Sequence, residues 1–227
     1  MRISLRLLPL CASLVFAIWP IPSSYNHGDG VLWIDESVKV SYNGSQQVHY
    51  AAFSFLPDVA HFGQQPIGTY GNPTGLTAST IVKNAITRTY DTLFNKNFVP
   101  WKFHPRFSNF EPSTSNGTYI KSILLQQTAA DPASLMKSTT GSVDESYSLS
   151  MTEDGEVTIT AASSIGILYG LTTFTQLFYQ HSTAPNCAYT TLAPVEITDS
   201  PKFGWRGLNV DTTRTFKPMS DLYAMVR

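Results

Sequence analysis

Residues 146–178 read SYSLSMTEDGEVTITAASSIGILYGLTTFTQLF, and this stretch decides which fold class the sequence predicts. Polar and apolar residues alternate over residues 146–151, and they alternate again over residues 156–161. Strict alternation places every second side chain on the same face, which is typical of a half-buried strand. Because residues 152–155 between the two segments include a turn-forming glycine, the pattern predicts a β-hairpin.

A helix is predicted to follow this hairpin at residues 165–179, with Ser163 or Ser164 as its N-terminal cap. Within the helix, Gly166 and Gly170 lie four residues apart and therefore share one face. Each glycine costs a helix about 1 kcal/mol relative to alanine. We therefore expect close packing of this face against the sheet to offset that cost.

The rest of the chain adds strands and one helix in an irregular order. The segments are strands at 31–35, 38–42, 119–127 and 195–199, a helix at 79–95 capped by Ser79 or Thr80, and a loop at 57–78. Strands and helices that mix in this way are typical of an α+β fold. We therefore predict a mainly antiparallel sheet with helices on one face.

The composition argues against several classes of function. Charged residues make up 14% of the chain, and 15 Lys and Arg against 16 Asp and Glu give a formal net charge of −1. A nucleic-acid partner or a membrane surface usually requires a strongly basic face, so neither is expected. Cys11 and Cys187 are too few for a zinc framework. His49, His61 and His104 lack the spacing of a metal site, so we predict no metal and no cofactor.

The first 17 residues resemble a secretory signal peptide. Arg2 and Arg6 form a short basic region, residues 7–16 are apolar, and Ala17 supplies a small residue at the expected cleavage site. The alternative is a buried N-terminal helix. No later segment is long and apolar enough to span a membrane, since a span needs about 20 such residues. We therefore predict a secreted, extracellular protein.

If the protein is secreted, two sequence motifs can be glycosylated and one cysteine can form a disulfide. Asn43 and Asn116 each begin an Asn-x-Ser/Thr triplet in a turn-like context, so both are predicted glycosylation sites. If Cys11 leaves with the signal peptide, Cys187 remains as a single cysteine in an oxidising compartment. It is either a buried, unreactive thiol or one half of a disulfide with a cysteine outside this chain.

Three segments together resemble the secreted fungal β-N-acetylhexosaminidases of glycoside hydrolase family 20. Residues 18–35 (IWPIPSSYNHGDGVLWID) resemble their mature N-terminus, and residues 143–178 resemble the hairpin and helix of their N-terminal domain. Residues 193–216 (APVEITDSPKFGWRGLNVDTTRTF) are similar to the entry to their catalytic barrel. The resemblance implies a signal peptide at 1–17, an α+β domain at 18–199, and the first strand of a truncated (β/α)8 barrel within 200–227.

The run Arg-Gly-Leu-x-x-Asp-x-x-Arg, from Arg206 to Arg214, is the most specific part of this resemblance. It implies that Arg214, at the C-terminal end of the first barrel strand, binds hydroxyls of the terminal N-acetyl sugar. A guanidinium suits this role because it presents several donors in a planar fork. For Arg206 we favour a structural salt bridge, and Asp211 is interpreted as structural and close to Arg214. Gly204 and Trp205 replace a common Pro-His pair of the family.

The resemblance also implies which catalytic groups the chain lacks. Hexosaminidases of this family use substrate assistance, in which the acetamido oxygen of the sugar attacks the anomeric carbon. An adjacent Asp-Glu pair, several strands beyond the Arg214 equivalent, orients that group and protonates the leaving oxygen. Asp144 and Glu145 are adjacent, but they precede the hairpin, so we interpret them as a solvated strand entrance. We expect no catalytic residue within the 227 residues and no activity of this chain alone.

Two hypotheses of function follow. The first is a β-N-acetylhexosaminidase that removes terminal N-acetylglucosamine or N-acetylgalactosamine from glycans and chitooligosaccharides, with a retaining mechanism. Such an enzyme would take part in carbohydrate metabolism and chitin degradation, and a homodimer is compatible with it. The alternative is a secreted, non-catalytic module that binds a glycan or a protein partner. Aromatic residues at 101–110 could stack on sugars, although core packing is the expected use of most of them.

Overall fold

A computed structural model describes residues 18–47, 77–115, 117–132, 135 and 141–225. In this described part, nine strands and three α-helices follow each other along the chain. Their bounds are β1 Ser24–Asp35, β2 Lys39–Tyr42, β3 Ser45–Gln47, α1 Ala78–Tyr90, β4 Thr118–Tyr119, β5 Ser122–Gln127, β6 Tyr147–Met151, β7 Glu156–Ala161, α2 Ser164–Thr175, β8 Tyr179–His181, β9 Ala184–Asp199 and α3 Met219–Met225. The predicted loop at 57–78 lies mostly outside the described residues.

The strands form a single mixed sheet in the order β3-β2-β5-β7-β6-β9-β1-β4, and β8 pairs with β9 beside this path. The pairs β1–β4, β2–β5 and β5–β7 are parallel, whereas the other described pairs are antiparallel. The α+β class is therefore confirmed, and the sheet is mixed where we predicted a mainly antiparallel one. Two of the parallel pairs arise because β5 joins the sheet between two strands that run in its own direction, and alternation cannot reveal such a neighbour.

The hairpin at the centre of the sheet is confirmed. β6 and β7 pair antiparallel, with Leu149 opposite Ile159 and Met151 opposite Val157. Gly155 has a φ of +84°, a left-handed conformation that glycine adopts without steric cost, and it closes the turn between the strands. The chain therefore reverses direction at this turn, as the sequence predicts.

Helix α2 begins where the sequence predicts and ends earlier. Ser163 is the cap, since its Oγ accepts a hydrogen bond from the backbone N–H of Gly166 at 3.1 Å. The last helical residue is Thr175, four positions before the predicted end at 179. Tyr179 instead starts β8, where its backbone pairs with that of Tyr189 in β9. Pairing with the next strand of the chain therefore replaces the last predicted turn of the helix.

The two glycines of α2 allow the helix to lie directly on the hairpin. A Cβ atom on Gly166 would lie 2.5 Å from the carbonyl oxygen of Ser146, and one on Gly170 would lie 2.5 Å from Cγ2 of Ile159. Carbon atoms need about 3.5–4.0 Å, so a side chain at either position would push the helix away. The predicted close approach of helix and sheet is confirmed.

Helix α1 is also confirmed, although its cap differs from the prediction. A π-helical turn, Asp91–Asn95, continues it to the predicted end. The cap is Thr77, whose Oγ1 accepts a hydrogen bond from the N–H of Thr80 at 3.2 Å, whereas we predicted Ser79 or Thr80. All three candidates are good capping residues, and the choice among them depends on where the preceding chain departs from helical geometry.

The core lies between one face of the sheet and the helices α1 and α2, so the helices lie on one face as predicted. Every second residue of the central strands points into the core; large, fully buried examples are Leu32, Ile34, Ile123, Leu125, Leu149, Met151, Ile159 and Ile197. The residues between them, such as Ser148 and Glu196, lie on the opposite, polar face. The face opposite the helices is polar at these positions, whereas at β1 it carries the buried ring of Trp33, whose centroid lies 5.6 Å from that of Tyr189.

Three strands differ from their predicted bounds because of long-range pairing. β1 begins at Ser24 and not at the predicted residue 31, because its first half pairs with the end of β9. The predicted strand at 119–127 is divided into β4 and β5, which pair with different neighbours in the sheet. β9 is 16 residues long, whereas we predicted only its last five residues. Residues 195–199 lie between β1 and β6, and the first half of β9 lies between β1 and β8.

Candidate functional site

The segment that carries the predicted sugar-binding motif follows β9 directly and has an irregular backbone. The structure assigns no strand to residues 200–218, and Leu208 in the middle of the motif is 74% exposed. A strand needs hydrogen-bonding neighbours, and no described strand lies beside this segment. The helix expected at its end is found as α3.

Arg214 presents an exposed guanidinium at a local turn. Its side chain is 89% exposed, and its Nε lies 3.5 Å from Oδ2 of Asp211. Oδ1 of Asp211 accepts hydrogen bonds from the N–H groups of Thr213 at 2.9 Å and of Arg214 at 3.4 Å. Asp211 therefore shapes the turn that carries Arg214, in agreement with the structural role we predicted. Among the described residues, the polar contacts of Arg214 all lie within this turn, and its other donors face solvent.

Arg206 forms the structural salt bridge that we favoured. Its Nη2 donates to both carboxylate oxygens of Glu145, at 2.8 and 2.9 Å, and to the hydroxyl of Tyr169 at 3.0 Å. Its Nη1 donates to the carbonyl oxygen of Phe203. The hydrogen bonds with Glu145 and Tyr169 raise the pKa of Arg206, so the group stays charged. Arg206 therefore connects the irregular segment to the sheet domain.

The acidic pair before the hairpin has a more definite role than the solvated entrance we predicted. Glu145 is the partner of Arg206. Asp144 accepts hydrogen bonds at Oδ1 from the backbone N–H of Ser146 at 2.9 Å and from its hydroxyl at 2.6 Å. These bonds lower the pKa of Asp144 below its usual value. Both carboxylates are thus committed to structural contacts, and the solvated interpretation of Glu145 is wrong.

Three aromatic residues close together in the sequence are exposed, and we call them the aromatic surface. It consists of Trp101, Phe103 and Phe107, whose side chains are 60%, 61% and 94% exposed. Behind it, the ring of Phe110 packs edge-on against Trp101, with 5.5 Å between the ring centroids. The prediction that most aromatics of residues 101–110 belong to the core is therefore wrong for these three. Trp101 and Phe103 lie in a short 3-10 helix, Trp101–Phe103, and Phe107 lies in the irregular segment that follows it.

The first predicted glycosylation site lies in a tight turn between β2 and β3. Asn43 and Gly44 have φ angles of +47° and +79°, as in a two-residue hairpin turn. Oδ1 of Asn43 accepts a hydrogen bond from the backbone N–H of Gln127 at 2.8 Å. The side chain is exposed at the surface, and the amide nitrogen is the atom to which a glycan would be attached. The second predicted site, Asn116, lies outside the described residues.

Cys187 and the histidines of the described ranges show no arrangement typical of metal binding. In the described part of the chain, Cys187 forms no disulfide, and burial raises the pKa of its thiol. His104 stacks on Phe110 with 4.0 Å between the ring centroids, whereas His49 and His61 lie outside the described residues. Among the residues with described structure, no group of three or more His, Cys, Asp and Glu side chains could hold a metal ion.

Comparison with known protein families identifies the chain. The model of a family described as "beta-acetyl hexosaminidase like" matches residues 18–177, which include the hairpin and both packed helices. The chain belongs to this family. The hexosaminidase resemblance seen in the sequence is thereby confirmed, and with it the relation to glycoside hydrolases.

Several β-hexosaminidases are related to the chain by sequence. The β-hexosaminidase of Arthroderma benhamiae is 37% identical over 218 residues, which cover 88% of this chain and 34% of the relative. The β-hexosaminidase subunit beta of Homo sapiens is 32% identical over 149 residues, which cover 65% of this chain and 24% of the relative. The chain thus spans about a third or less of the length of these relatives.

Among solved structures, a chitobiase from Flavobacterium johnsoniae is similar to this hexosaminidase-family chain, with 24% identity and a TM-score of 0.49. The match covers 88% of this chain and 23% of the chitobiase chain. In the described part of the chain, none of the helices is long and apolar enough to cross a membrane.

The sequence did not indicate the two partners of Arg206 within the sheet domain. Tyr169 lies in the middle of an apolar helix, where a tyrosine is an ordinary residue. Glu145 belongs to an acidic pair at a strand entrance, where solvation is the usual state of a carboxylate. Only the opposite charge of Glu145 and Arg206 could have suggested this pair, and several other acidic residues satisfy the same criterion.

Proposed function

We propose that this chain is the N-terminal part of a secreted β-N-acetylhexosaminidase. The enzyme would remove terminal non-reducing N-acetylglucosamine or N-acetylgalactosamine from glycans and chitooligosaccharides, with retention of configuration through the sugar's own acetamido group. The observation that carries this proposal is the motif from Arg206 to Arg214 in a chain that belongs to the hexosaminidase-like family. Chitin degradation is the process in which such an activity would act.

In this proposal Arg214 binds the terminal sugar. Its guanidinium can donate to two neighbouring hydroxyls at once, because its N–H groups form a rigid planar fork. The exposure of Arg214 and its attachment to Asp211 alone, among the described residues, leave most of these donors available. Residues 206–214 would form the first strand of the catalytic barrel, with Arg214 at the C-terminal end, where active sites of such barrels form.

The proposed organisation has three parts. Residues 1–17 act as a signal peptide, residues 18–199 form the sheet domain, and residues 200–227 begin the catalytic barrel. The start of the family match at residue 18 and the end of β9 at Asp199 support these boundaries. Secretion would allow glycans on Asn43 and Asn116, and the exposed turn at Asn43 is a suitable acceptor.

A hybrid enzyme tests this function. Residues 18–225 would replace the matching segment of the Arthroderma benhamiae β-hexosaminidase, and hydrolysis of a chromogenic N-acetylglucosaminide would be measured. We expect the hybrid to be active and the purified 227-residue chain to show no hydrolysis above background. An inactive hybrid that folds and is secreted, or turnover by the pure chain alone, would contradict the proposal.

Arg214→Lys in the hybrid tests the role of the guanidinium. Lysine keeps the charge but replaces the fork by a point charge, so at least one hydrogen bond to the sugar is lost. A hydrogen bond that involves a charged group contributes about 1.5–3 kcal/mol. We therefore expect kcat/KM to fall by about one to two orders of magnitude, at 1.36 kcal/mol for each factor of ten. Arg88→Lys, on the exposed side of α1, is the matched control and should change nothing.

The aromatic surface supports a second function, a glycan-binding module without catalysis. Trp101 and Phe103 are exposed, and each packs against a neighbouring ring, Trp101 against Phe110 and Phe103 against Tyr179. Such preorganised rings can stack on the apolar faces of sugars. Titration of the purified chain with chitooligosaccharides, followed by tryptophan fluorescence, tests this function. Saturable binding lost in Trp101→Ala but kept in Trp205→Ala would support it, and equal signals from both variants would refute it.

A further inference from the structure

A closed group of three side chains joins the sheet domain to the segment that carries Arg214. Besides the bonds from Arg206, the hydroxyl of Tyr169 donates to Oε1 of Glu145 at 3.4 Å, so the three groups contact each other pairwise. The guanidinium carbon of Arg206 also lies 5.7 Å from the centre of the Tyr169 ring, within the range of a cation–π contact. Arg206 thus contacts the carboxylate of Glu145, the hydroxyl of Tyr169 and the ring of Tyr169.

The two partners of Arg206 belong to the central hairpin and the helix that packs on it. Glu145 lies two residues before β6, and Tyr169 lies in α2, which packs on β6 and β7. The cap residue Ser163 ties these elements together, because its hydroxyl donates to the carbonyl oxygen of Asp144. The guanidinium therefore binds to a surface that the hairpin and its helix have already formed.

The other polar contacts described for residues 200–225 are local. Asp211 contacts its own turn, and the N–H groups of Asp221 and Leu222 bond to Pro218 within the first turn of α3. In the described part of this segment, Arg206 is therefore the side chain that forms hydrogen bonds with the sheet domain. Together with the covalent connection to β9 at Asp199, this side-chain contact restrains where the following residues begin.

We propose that Glu145 and Tyr169 form an anchor site for Arg206 that positions the Arg206–Arg214 segment, and with it Arg214, relative to the sheet domain. The positioning of Arg214 rests on the function proposed above, whereas the anchor itself does not. Arg206 lies eight residues before Arg214, so in an extended strand the two are about 26 Å apart at 3.3 Å per residue. Because the Arg206 and Glu145 side chains are 40% and 26% exposed, the anchor contributes more to position than to global stability.

Trypsin provides a direct test on the 227-residue chain, since it cleaves after arginine. Arg206 and Arg214 lie in the same irregular segment, and Arg214 serves as the internal reference. We expect cleavage after Arg214 to be faster than cleavage after Arg206. Glu145→Gln should accelerate cleavage after Arg206 by at least about threefold, as expected from the loss of a partly exposed ion pair, and leave cleavage after Arg214 unchanged.

Matched variants make this test specific. Glu153→Gln makes the same change in the hairpin turn, at an acid with no contact to Arg206, and should leave both cleavage rates unchanged. Tyr169→Phe keeps the ring and removes the hydroxyl, so its effect should lie between those of the parent chain and Glu145→Gln. Equal cleavage rates after Arg206 and Arg214 in the parent chain, or no effect of Glu145→Gln, would overturn the anchor.

The positioning role is tested in the active hybrid enzyme. Glu145→Gln should lower kcat/KM while the melting temperature stays close to that of the parent hybrid, because the barrel itself is unchanged. The exchange variant Glu145→Arg with Arg206→Glu restores opposite charges and should recover activity above that of Glu145→Arg alone. If Glu145→Gln leaves kcat/KM unchanged although trypsin shows that the anchor has been released, the positioning role is refuted.

Failure of the proposed function gives a different pattern. If Arg214→Lys is as active as the parent hybrid, the sugar-binding role is wrong, but the tryptic protection of Arg206 still decides whether the anchor exists. If Arg206 is not protected, the anchor is wrong whatever the activity of the hybrid. The two measurements therefore separate the anchor from the function on which its positioning role depends.

Discussion

The hairpin with its helix, at 146–178, and the segment at 200–225 contain similar apolar residues in opposite environments. Leu149 is fully buried between β7, β9 and α2, whereas Leu208 is 74% exposed. The first region has strand neighbours on both sides and a helix above it, and the second is attached through Arg206. The difference shows that an apolar pattern creates a core only where other elements are present to cover it.

Truncation of one leucine in each region should give the largest contrast. Leu149→Ala removes buried carbon atoms and leaves a cavity in a core with little freedom to relax, which should cost about 2–5 kcal/mol of unfolding free energy. Leu208→Ala should change it by less than about 0.5 kcal/mol, as exposed positions usually do. Urea unfolding of the purified chain measures both values. Equal losses of unfolding free energy in the two variants would show that Leu208 is buried in solution and would contradict the difference between the two regions.

Adding a methyl group to one glycine in each region should give the next largest contrast. Gly166→Ala places a Cβ 2.5 Å from a backbone oxygen that cannot rotate away, so overpacking of about 1–3 kcal/mol should exceed the roughly 1 kcal/mol gained in helix propensity. In Gly207→Ala the new atom would lie 3.7 Å from the Trp205 ring, an ordinary contact, and stability should hardly change. Thermal unfolding followed by circular dichroism compares the two variants. A stabilised Gly166→Ala would contradict the close approach of α2 to the hairpin.

Removal of one serine hydroxyl in each region should have a moderate effect. Ser163→Ala deletes the cap of α2 and the bond to Asp144, so we expect a loss of about 1 kcal/mol. Ser220→Ala removes an exposed hydroxyl from α3 and should be neutral. Urea midpoints of the two variants give the contrast. An equally neutral Ser163→Ala would mean that the helix is held by packing alone.

The pH dependence of stability should show the smallest contrast. Hydrogen bonds from Ser146 lower the pKa of Asp144 from 3.8, so they add stability that is present above the unfolded pKa and is lost as the pH falls through the folded one. Asp144 is exposed, which limits this contribution to less than about 0.5 kcal/mol. In Asp144→Asn, stability should therefore fall less steeply below pH 3.8 than in the parent chain.

Asp211→Asn is the matched control for this titration, because Asp211 shapes a turn in the exposed segment. Global unfolding between pH 5 and pH 2 should follow the parent curve in this variant, within about 0.5 kcal/mol. If the unfolding free energy falls with decreasing pH as steeply in Asp144→Asn as in the parent chain, other carboxylates cause the loss of stability.

Features that depend on short-range geometry could be predicted from the sequence. The alternation at 146–161 specified both strands and their turn, because the side-chain period of a strand is two residues. Ser163 was one of two predicted caps, since a cap bonds to an N–H only three residues ahead. The spacing of Gly166 and Gly170 indicated close packing, since both lie on one helix face.

The candidate site could be predicted only in part. The motif from Arg206 to Arg214 indicated a sugar-binding arginine by resemblance, and that role stays a prediction. The structural role of Arg206 was favoured from the sequence, but its partners, Glu145 and Tyr169, were not identified. They lie 61 and 37 residues away along the chain, and no local pattern relates residues so far apart.

Local patterns of charge, alternation and capping were thus sufficient for the α+β class, the central hairpin and the helix that covers it. The tertiary structure alone decided which strands run parallel, how long β9 is, and that residues 101–107 expose their aromatic rings. It also brought Glu145 and Tyr169 to Arg206. Each of these features depends on which distant segment becomes the neighbour, and that choice is made by burial of the whole apolar face rather than by any one stretch of sequence.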